Sequence, residues 1–404
     1  MRGRGPLTAV VGVVTLCLAA GVFAAPGALA VPGVTEACNP KQPGSPNSTE
    51  PWGQQRLDFQ RVWPLTRGEG VLVAEVDSGV DHTHPQLSNP DHVLPTIDLT
   101  STGTGDCNGH GTRVAGIIVG ADLDRPGVVF TGVAPGARLL PIKQTNTGES
   151  TVRLLAEGIR TAVDHGATVV NVSITGADAP VLREAVRYAQ EHDVLIVAAA
   201  GNEQDGVNVT QYPAGYTGVI SVAAIDEKDQ HASFTIPATP VSVAAPGVNV
   251  TSTAAGPAHG YNVENGTSFA APFVAGTAAL VRAYHPELDY QQVKHRIEVT
   301  ADRRTDPALG FGVVNPYQAV TAVLPEEITG AAARPAPRAV PPIPPPPLPD
   351  THTRDLALLV AGIAVLATCL VASAAVVVPR GRRRHWQPGQ RRSFEDVGSV
   401  ASTQ

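Results

Sequence analysis

Short runs rich in valine, isoleucine and alanine alternate with helical patterns through the middle of the chain, and this alternation constrains the fold more than any other feature. The runs are mostly apolar and continuous, which is typical of parallel strands that are buried on both faces. We therefore expect a mostly parallel sheet. The predicted strands are residues 70–77, 138–143, 168–174, 194–199 and 219–225.

Segments of helical periodicity separate these runs. The order strand, helix, strand predicts an α/β fold whose mostly parallel sheet carries helices on both faces. In such folds functional residues collect at the carboxyl ends of the strands. The residues expected on the buried helix faces are Leu154, Leu155, Gly158, Ile159 and Ala162 in the first helix, and Leu182, Ala185, Val186 and Ala189 in the second.

The start of the chain, residues 1–30, has the three-part pattern of a secretory signal peptide. Two arginines precede an apolar run over residues 7–25, and Ala28-Leu29-Ala30 offers small residues to a signal peptidase. An uncleaved membrane helix is the alternative, and the Ala-Leu-Ala site argues against it. We expect an exported protein.

A second apolar run, residues 356–378, contains no charged residue. At about 1.5 Å per residue, a helix of this length spans the roughly 30 Å of a bilayer core. A tail with six arginines follows at residues 379–404, and the positive-inside rule places it in the cytoplasm. A buried core helix is the alternative, but no further folded sequence follows. We expect a single-pass protein of the cell membrane with its folded part outside.

Composition divides the chain between these two runs into three parts. Residues 31–50 are interpreted as a polar N-terminal extension, residues 51–323 as a globular domain and residues 324–355 as a Pro-rich linker. Hydrophobic residues make up 43% and charged residues 16%, so the bulk of the chain can bury a core. The net charge of -7 gives no electrostatic basis for a nucleic-acid partner.

Three polar residues stand out because each closes or opens a predicted element. Asp77 closes the first strand and precedes a glycine turn, although a simple turn aspartate is the alternative. His110 lies between glycines in Asn-Gly-His-Gly-Thr-Arg-Val-Ala-Gly, before a helical pattern, where an ordinary loop histidine would look the same. Ser268 opens an apolar helix in Asn-Gly-Thr-Ser-Phe-Ala-Ala-Pro, where it either meets the positive helix end as a nucleophile or only caps the helix.

Together these residues have the composition of a proton-transfer chain. A serine hydroxyl needs a base to accept its proton, and histidine has a suitable pKa. The histidine in turn needs a carboxylate that fixes its tautomer, and Asp, His, Ser is one of the known chain orders. Asn202, after an apolar strand and a glycine, could donate its amide to an oxyanion beside the Ser268 N–H, a contact worth about 3 kcal/mol. The alternative for Asn202 is a turn.

These segments resemble the motifs of the subtilisin family of serine proteases. Val-Asp-Ser-Gly-Val-Asp around Asp77, the histidine and serine strings quoted above, and Ala-Ala-Ala-Gly-Asn ending at Asn202 carry the resemblance. It implies a subtilisin-like fold over about residues 51–323 and a serine endopeptidase that acts on proteins or peptides. The implied catalytic triad is Asp77, His110 and Ser268, with Asn202 in the oxyanion hole.

The same resemblance implies a substrate-binding strand. Its residues are Ser173, Ile174 and Thr175, joined by Gly201. The family often has glycine where this chain has Thr175. The branched side chain should narrow the primary specificity pocket, so we expect a restricted substrate range.

A narrower resemblance is to the mycosins, the subtilisin-like proteases of the actinobacterial type VII secretion system. The layout of the chain and the segments at residues 51–57 and 61–68 carry it. It implies processing of proteins exported by that system, with channel components as partners. It also implies a disulfide bond between Cys38 in the extension and Cys107 before the catalytic histidine. A structural role in the secretion complex and a general surface protease are the alternatives.

No metal or cofactor is predicted. His82 and His84 precede a proline in a string that the family also shows, but their spacing alone does not define a metal site. Calcium binding is left open, because the sequence contains no dense acidic loop that requires it.

Overall fold

The computed structural model describes residues 49–123, 128–146, 151–203 and 208–328. All of them belong to the first of two units into which the chain divides, residues 1–329. The predicted signal peptide, membrane helix, tail, nearly all of the extension and most of the linker lie outside the described residues. Within the described part, no helix combines the length and the apolar character needed to cross a membrane.

The centre of the described part is a seven-stranded parallel sheet with the order β2-β3-β1-β4-β5-β6-β7. Five strands confirm the predicted ones, each within two residues of its expected bounds. The apolar pattern missed β2, which has two residues, and β7, which ends in a proline. The strands are β1 (Leu72–Asp77), β2 (Ile97–Asp98), β3 (Arg138–Lys143), β4 (Val169–Val172), β5 (Leu195–Ala199), β6 (Ile220–Ile225) and β7 (Val243–Pro246).

Helices cover both faces of this sheet, as the alternating pattern predicts. Alternate residues of each strand project to opposite faces, so the buried side chains form two cores, one on each side. One core holds α3 and α4 and the other holds α2 and α5. These helices are α1 (Trp52–Leu57), α2 (His110–Val119), α3 (Val152–Asp164), α4 (Pro180–Glu191) and α5 (Thr267–Tyr284), with α1 at the start of the described domain.

Local sequence explains where the helices on the first face begin. Thr151 caps α3, because its Oγ1 accepts a hydrogen bond from the Leu154 N–H at 3.2 Å. Pro180 opens α4 at the position where the missing N–H costs nothing. The predicted apolar face of α4 is fully buried, and that of α3 is buried except at Leu154, which is half-buried.

The described part also contains a two-stranded antiparallel hairpin, three further α-helices and two short 3₁₀ helices, Phe59–Val62 and Pro307–Leu309. Asp289 opens α6 with a capping box, in which its carboxylate and the Gln292 side chain satisfy each other's backbone N–H groups. Helix α8 lies at the start of the predicted linker. The elements are β8 (Val250–Thr253), β9 (Tyr261–Glu264), α6 (Tyr290–Val299), α7 (Pro316–Thr321) and α8 (Pro325–Ile328).

Candidate active site

Asp77 is the last residue of β1, at the carboxyl end of the sheet, and its side chain is 1% exposed. Its Oδ1 accepts one hydrogen bond from the Ser78 N–H at 2.8 Å and one from His110 Nδ1 at 2.8 Å. Gly79 follows with φ +103°, a conformation that favours glycine, and the chain turns away from the strand. The structure therefore brings two of the predicted site residues into direct contact.

His110 is the first residue of α2, and a buried aspartate fixes the turn that presents it. Asp106 Oδ1 accepts hydrogen bonds from Ser78 Oγ at 2.9 Å and from the Gly109 N–H at 2.7 Å. Asp106 Oδ2 accepts from the N–H and Oγ1 of Thr112, at 2.8 and 2.6 Å. Asp106 thus ties the end of β1 to the first turn of α2. Sequence reasoning missed it, although it lies four residues before the histidine.

The environment of His110 changes its pKa in two opposing ways. Burial lowers the pKa of the imidazole, and the charge of Asp77 with its hydrogen bond more than offsets this, so that the pKa is raised above its ordinary value. The Asp77 contact also makes Nδ1 the protonated nitrogen of the neutral ring. Nε2 is then the atom that can accept a proton.

Ser268 is the second residue of α5, and its neighbour Phe269 lies against the histidine with ring centroids 5.1 Å apart. The described contacts do not include a hydrogen bond between His110 Nε2 and Ser268 Oγ. In enzymes without substrate such bonds are often long and tighten only in the complex. The Ser268 N–H lies in the first helical turn, where backbone donors have no partner within the helix.

Gly266 forms the wall between Ser268 and Asn202. A Cβ atom on Gly266 would lie 2.9 Å from Ser268 Oγ and 3.2 Å from Asn202 Nδ2, so these two atoms face each other across one small space. The backbone of Gly266 has φ +152°, which side chains rarely adopt. This position therefore requires glycine for both its conformation and the space that it leaves.

Thr267 orients the Asn202 amide, and sequence reasoning missed this role. Asn202 Oδ1 accepts hydrogen bonds from the Thr267 N–H at 2.9 Å and from Thr267 Oγ1 at 3.0 Å. Thr267 Oγ1 also accepts from the Gly201 N–H at 3.1 Å. With Oδ1 held on one side, Nδ2 is directed toward the space beside Ser268. The only sequence signal was the position of Thr267 directly before the serine.

The carbonyl of Ser268 contacts the sheet because of a proline inside α5. Pro272, four residues after Ser268, has no N–H to donate to that carbonyl. Ser173 Oγ, just after β4, donates to it instead at 2.8 Å. Ser173 is 5% exposed and lies against the helix that bears Ser268, so the structure brings one predicted substrate-binding residue into contact with another predicted site residue.

The other predicted substrate-binding residues surround the same region. Ile174 is buried and Thr175 is half-buried, both just after β4, and Gly201 has φ +99° beside Asn202. Gly176, the next residue after Thr175, exchanges two backbone hydrogen bonds with Tyr212 at 2.8 and 3.0 Å. Their contact with a substrate stays a prediction.

Cys107 is disulfide-bonded. No other cysteine falls within the described ranges, and Cys38 lies outside them, so the predicted pairing with Cys38 stays a prediction. The bond lies three residues before His110, in the loop that Asp106 also anchors.

His82 and His84 hydrogen-bond to protein groups. His82 Nε2 lies 3.0 Å from Thr96 Oγ1, and His84 Nε2 lies 3.3 Å from the Gly260 carbonyl. Burial lowers the pKa of His84 to about 4, so its ring is neutral at physiological pH. Among the described residues, no three histidine, cysteine or acidic side chains are grouped so that they could hold a metal ion.

The fold and this cluster define a class of protein, the subtilisin-like serine proteases: a parallel α/β sheet whose carboxyl edge holds an aspartate, a histidine and a helix-borne serine. A family model for the subtilase family, Peptidase S8, matches residues 68–314. The chain belongs to this family and is a serine-type endopeptidase.

Individual relatives agree with this assignment. Mycosin-4 of Mycobacterium tuberculosis is 37% identical over 382 residues, which cover 81% of this chain and 81% of that protein. Mycosin-3 of the same organism is 35% identical and covers 89% of this chain and 88% of its own length. A solved structure of MycP3, a protease from the type VII (ESX-3) secretion system, superposes with a TM-score of 0.62 at 34% identity, covering 70% of this chain and 92% of that one.

Proposed function

We propose that this endopeptidase is anchored in the cell membrane, cleaves peptide bonds with Asp77, His110 and Ser268, and processes proteins exported by a type VII secretion system. The observation that carries the catalytic part is the 2.8 Å contact between Asp77 Oδ1 and His110 Nδ1 at the edge of the sheet, beside the helix start that bears Ser268. These three side chains supply a nucleophile, a general base and the carboxylate that orients the base.

The chemistry follows from the orientation of these groups. Ser268 Oγ attacks the carbonyl carbon of the scissile bond while His110 Nε2 takes its proton, and the Asp77 carboxylate stabilises the imidazolium. The carbonyl oxygen becomes negative in the space beside Gly266. There the Asn202 Nδ2 and the Ser268 N–H donate hydrogen bonds to it. His110 then gives its proton to the leaving amine, and water hydrolyses the acyl-enzyme with the same base.

Substrate placement is proposed on the segment after β4. Ser173, Ile174 and Thr175 would pair with an extended peptide, and Gly201 would leave room for its backbone near Asn202. The Thr175 side chain would reduce the volume available to the residue before the scissile bond. No cofactor enters any of these steps.

The secretion role rests on relatives rather than on geometry. Two mycosins match more than four fifths of the chain, and a related structure is a type VII protease. The predicted signal peptide and membrane helix would place the catalytic domain outside the membrane, where exported proteins emerge. A disulfide between Cys38 and Cys107 would tie the extension to the loop before His110.

A fluorophosphonate probe tests the catalytic assignment directly, because it reacts only with an activated serine. We expect the full-length protein to be labelled and the Ser268→Ala variant not to be. Equal labelling of both proteins would contradict the assignment.

A secretion assay in cells tests the processing role. Loss of substrate trimming in Ser268→Ala with secretion intact would support processing. Secretion that depends on the protein but not on Ser268 would favour the structural role.

A further inference from the structure

Glu75 is a buried acid next to the active site that the proposed mechanism does not use. It lies on β1 two residues before Asp77, so both side chains project to the face of the sheet that α2 and α5 cover. Its side chain is 1% exposed. Within the described part of the chain, both of its carboxyl oxygens are buried and neither has a hydrogen-bond partner.

The neighbouring strand places an amide opposite this acid. Asn171 on β4 pairs in register with Glu75 and is fully buried. Asn171 Nδ2 donates to Ser173 Oγ at 2.9 Å, and Ser173 Oγ donates to the Ser268 carbonyl at 2.8 Å. Asn171 Oδ1 is buried without a partner, as is Asp77 Oδ2. Four oxygens of Glu75, Asn171 and Asp77 are therefore buried without a hydrogen-bond donor within the described part of the chain.

The first turn of α2 packs directly against the Glu75 side chain. A Cβ atom on Gly111 would lie 3.1 Å from Glu75 Oε1 and 2.2 Å from the Gly79 carbonyl, so the helix packs directly over the acid. A buried carboxylate without a donor costs far more free energy than a neutral carboxylic acid.

The charged groups on the surrounding elements do not compensate a negative charge on Glu75. Asp77 on β1 and Asp106 before α2 are acids themselves. Lys143 Nζ on β3 donates to the carbonyls of Gly103 and Gly105, both at 2.7 Å.

The basic residues of the covering helices have other partners. On α2, His110 contacts Asp77, and Arg113 Nε lies 4.0 Å from Glu264. β4 carries no charged residue, and the only charged residue of α5, Arg282, contacts Asp193.

We propose that Glu75 is a positioning residue of the active site that works as a neutral carboxylic acid, its O–H donating to Asn171 Oδ1. This bond would add Glu75 to the chain of hydrogen bonds that runs from Asn171 through Ser173 to the Ser268 carbonyl. The chain would then hold the helix of the proposed nucleophile against the strand that bears Asp77. The role rests on the catalytic function proposed above. Burial raises the pKa of Glu75 well above its ordinary value, and the nearby charges of Asp77 and Asp106 raise it further.

The protonation state has a consequence for stability that needs no catalysis. Between the unfolded-state pKa of about 4.3 and the raised folded-state pKa, the folded protein holds a proton that the unfolded chain releases. The contribution of Glu75 to the free energy of unfolding is therefore full at low pH and falls as pH rises. Glutamine does not titrate, so the Glu75→Gln variant does not lose stability in this way. The Tm of the variant minus the Tm of wild type should therefore increase steadily between pH 4 and pH 8.

Glu69→Gln is a matched control, six residues earlier. Although partial burial would raise the pKa of Glu69, hydrogen bonds from backbone and Thr66 groups lower it below its ordinary value. The stabilising contribution of Glu69 is complete above the unfolded-state pKa of about 4.3 and is lost only as the pH falls below it, so the Tm of Glu69→Gln relative to wild type should stay level between pH 5 and pH 8. A wild-type minus Glu75→Gln infrared difference spectrum should also contain the carbonyl band of a protonated carboxylic acid at pH 7.

Kinetics of the purified full-length protein test the positioning role. We expect Glu75→Leu to lower kcat about tenfold with KM within about twofold, and Glu75→Gln, which keeps a donor, to restore kcat to within about threefold of wild type. The acid limb of the kcat/KM profile should keep its midpoint in Glu75→Gln, because a neutral group replaces a neutral group.

Three results would overturn the proposal: a midpoint displaced to lower pH in Glu75→Gln, destabilisation of that variant at pH 8, or wild-type kcat in Glu75→Leu. If Glu75→Leu does not fold, the infrared band and the Glu75→Gln stability trend decide. A wild-type protein that fluorophosphonate does not label would refute the proposed function, while the infrared and stability measurements would still report on the acid.

Discussion

Replacing Thr267 by valine tests the inference that this residue aims the Asn202 amide at the developing oxyanion. The substitution keeps the shape of the side chain but removes Oγ1, which donates to Asn202 Oδ1 at 3.0 Å. The Thr267 N–H still holds Oδ1 at 2.9 Å, so the amide is loosened rather than released.

The magnitude follows from these contacts. Complete loss of an oxyanion donor costs about 3 kcal/mol in the transition state, and one neutral hydrogen bond contributes about 1 kcal/mol. We therefore expect Thr267→Val to lose about 1 kcal/mol of transition-state stabilisation, which is about a fivefold drop in kcat. KM should change little, because the oxyanion does not exist in the bound substrate.

A double-mutant cycle with Asn202→Leu provides the assay. Hydrolysis of a peptide substrate is measured for both single variants and the double variant, with Thr267→Ser as the control that keeps the hydroxyl. If Thr267 acts through Asn202, its replacement costs little once the amide is gone. An equal loss of about fivefold in both backgrounds would refute this reasoning and assign Thr267 a separate role.

Three further substitutions address the rest of the site. In wild type, kcat/KM should fall on acidification with a midpoint above about 6.5, because Asp77 raises the His110 pKa. Asp77→Asn should lower this midpoint, because burial, the largest remaining influence, lowers the pKa, and it should lower kcat by about 10⁴. Gly266→Ala should lower kcat at least tenfold in the same assay, with fluorophosphonate labelling reduced in parallel, since its Cβ would lie 2.9 Å from Ser268 Oγ. Thr175→Gly should broaden cleavage of a peptide library at the position before the scissile bond, and an unchanged library profile would contradict a pocket role.

The sheet could be predicted from sequence because its central strands are apolar on both faces. Val169–Val172 and Ile220–Ile225 are buried throughout and were predicted within two residues. The short edge strand Ile97–Asp98 and the proline-terminated Val243–Pro246 lack such a run. These two segments are strands because they hydrogen-bond to a neighbouring strand of the sheet. Their own sequences do not indicate which strand that is.

The contact between Asp77 and His110 could be predicted from sequence, but most of the residues that support the proposed reacting groups could not. Asp77 and His110 are recognisable by residue type and flanking glycines. Asp106 and Thr267 act through hydrogen bonds to residues that the fold brings close, and neither an aspartate in a loop nor a threonine at a helix start has a distinctive pattern. Glu75 lay inside a predicted strand, where its one notable property, burial without a partner, is visible only in three dimensions.

The proline at position 272 links two parts of the enzyme that helix geometry would otherwise keep separate. By leaving the Ser268 carbonyl free for Ser173, it fastens the helix of the proposed nucleophile to the end of β4, in the same sheet that carries Asp77. The Ser268 hydroxyl and the Asp77 carboxylate are therefore both held in position by the central sheet. Thermal motion that tilts or slides the helix must strain this crosswise bond before it can change the alignment on which the proposed proton transfer depends.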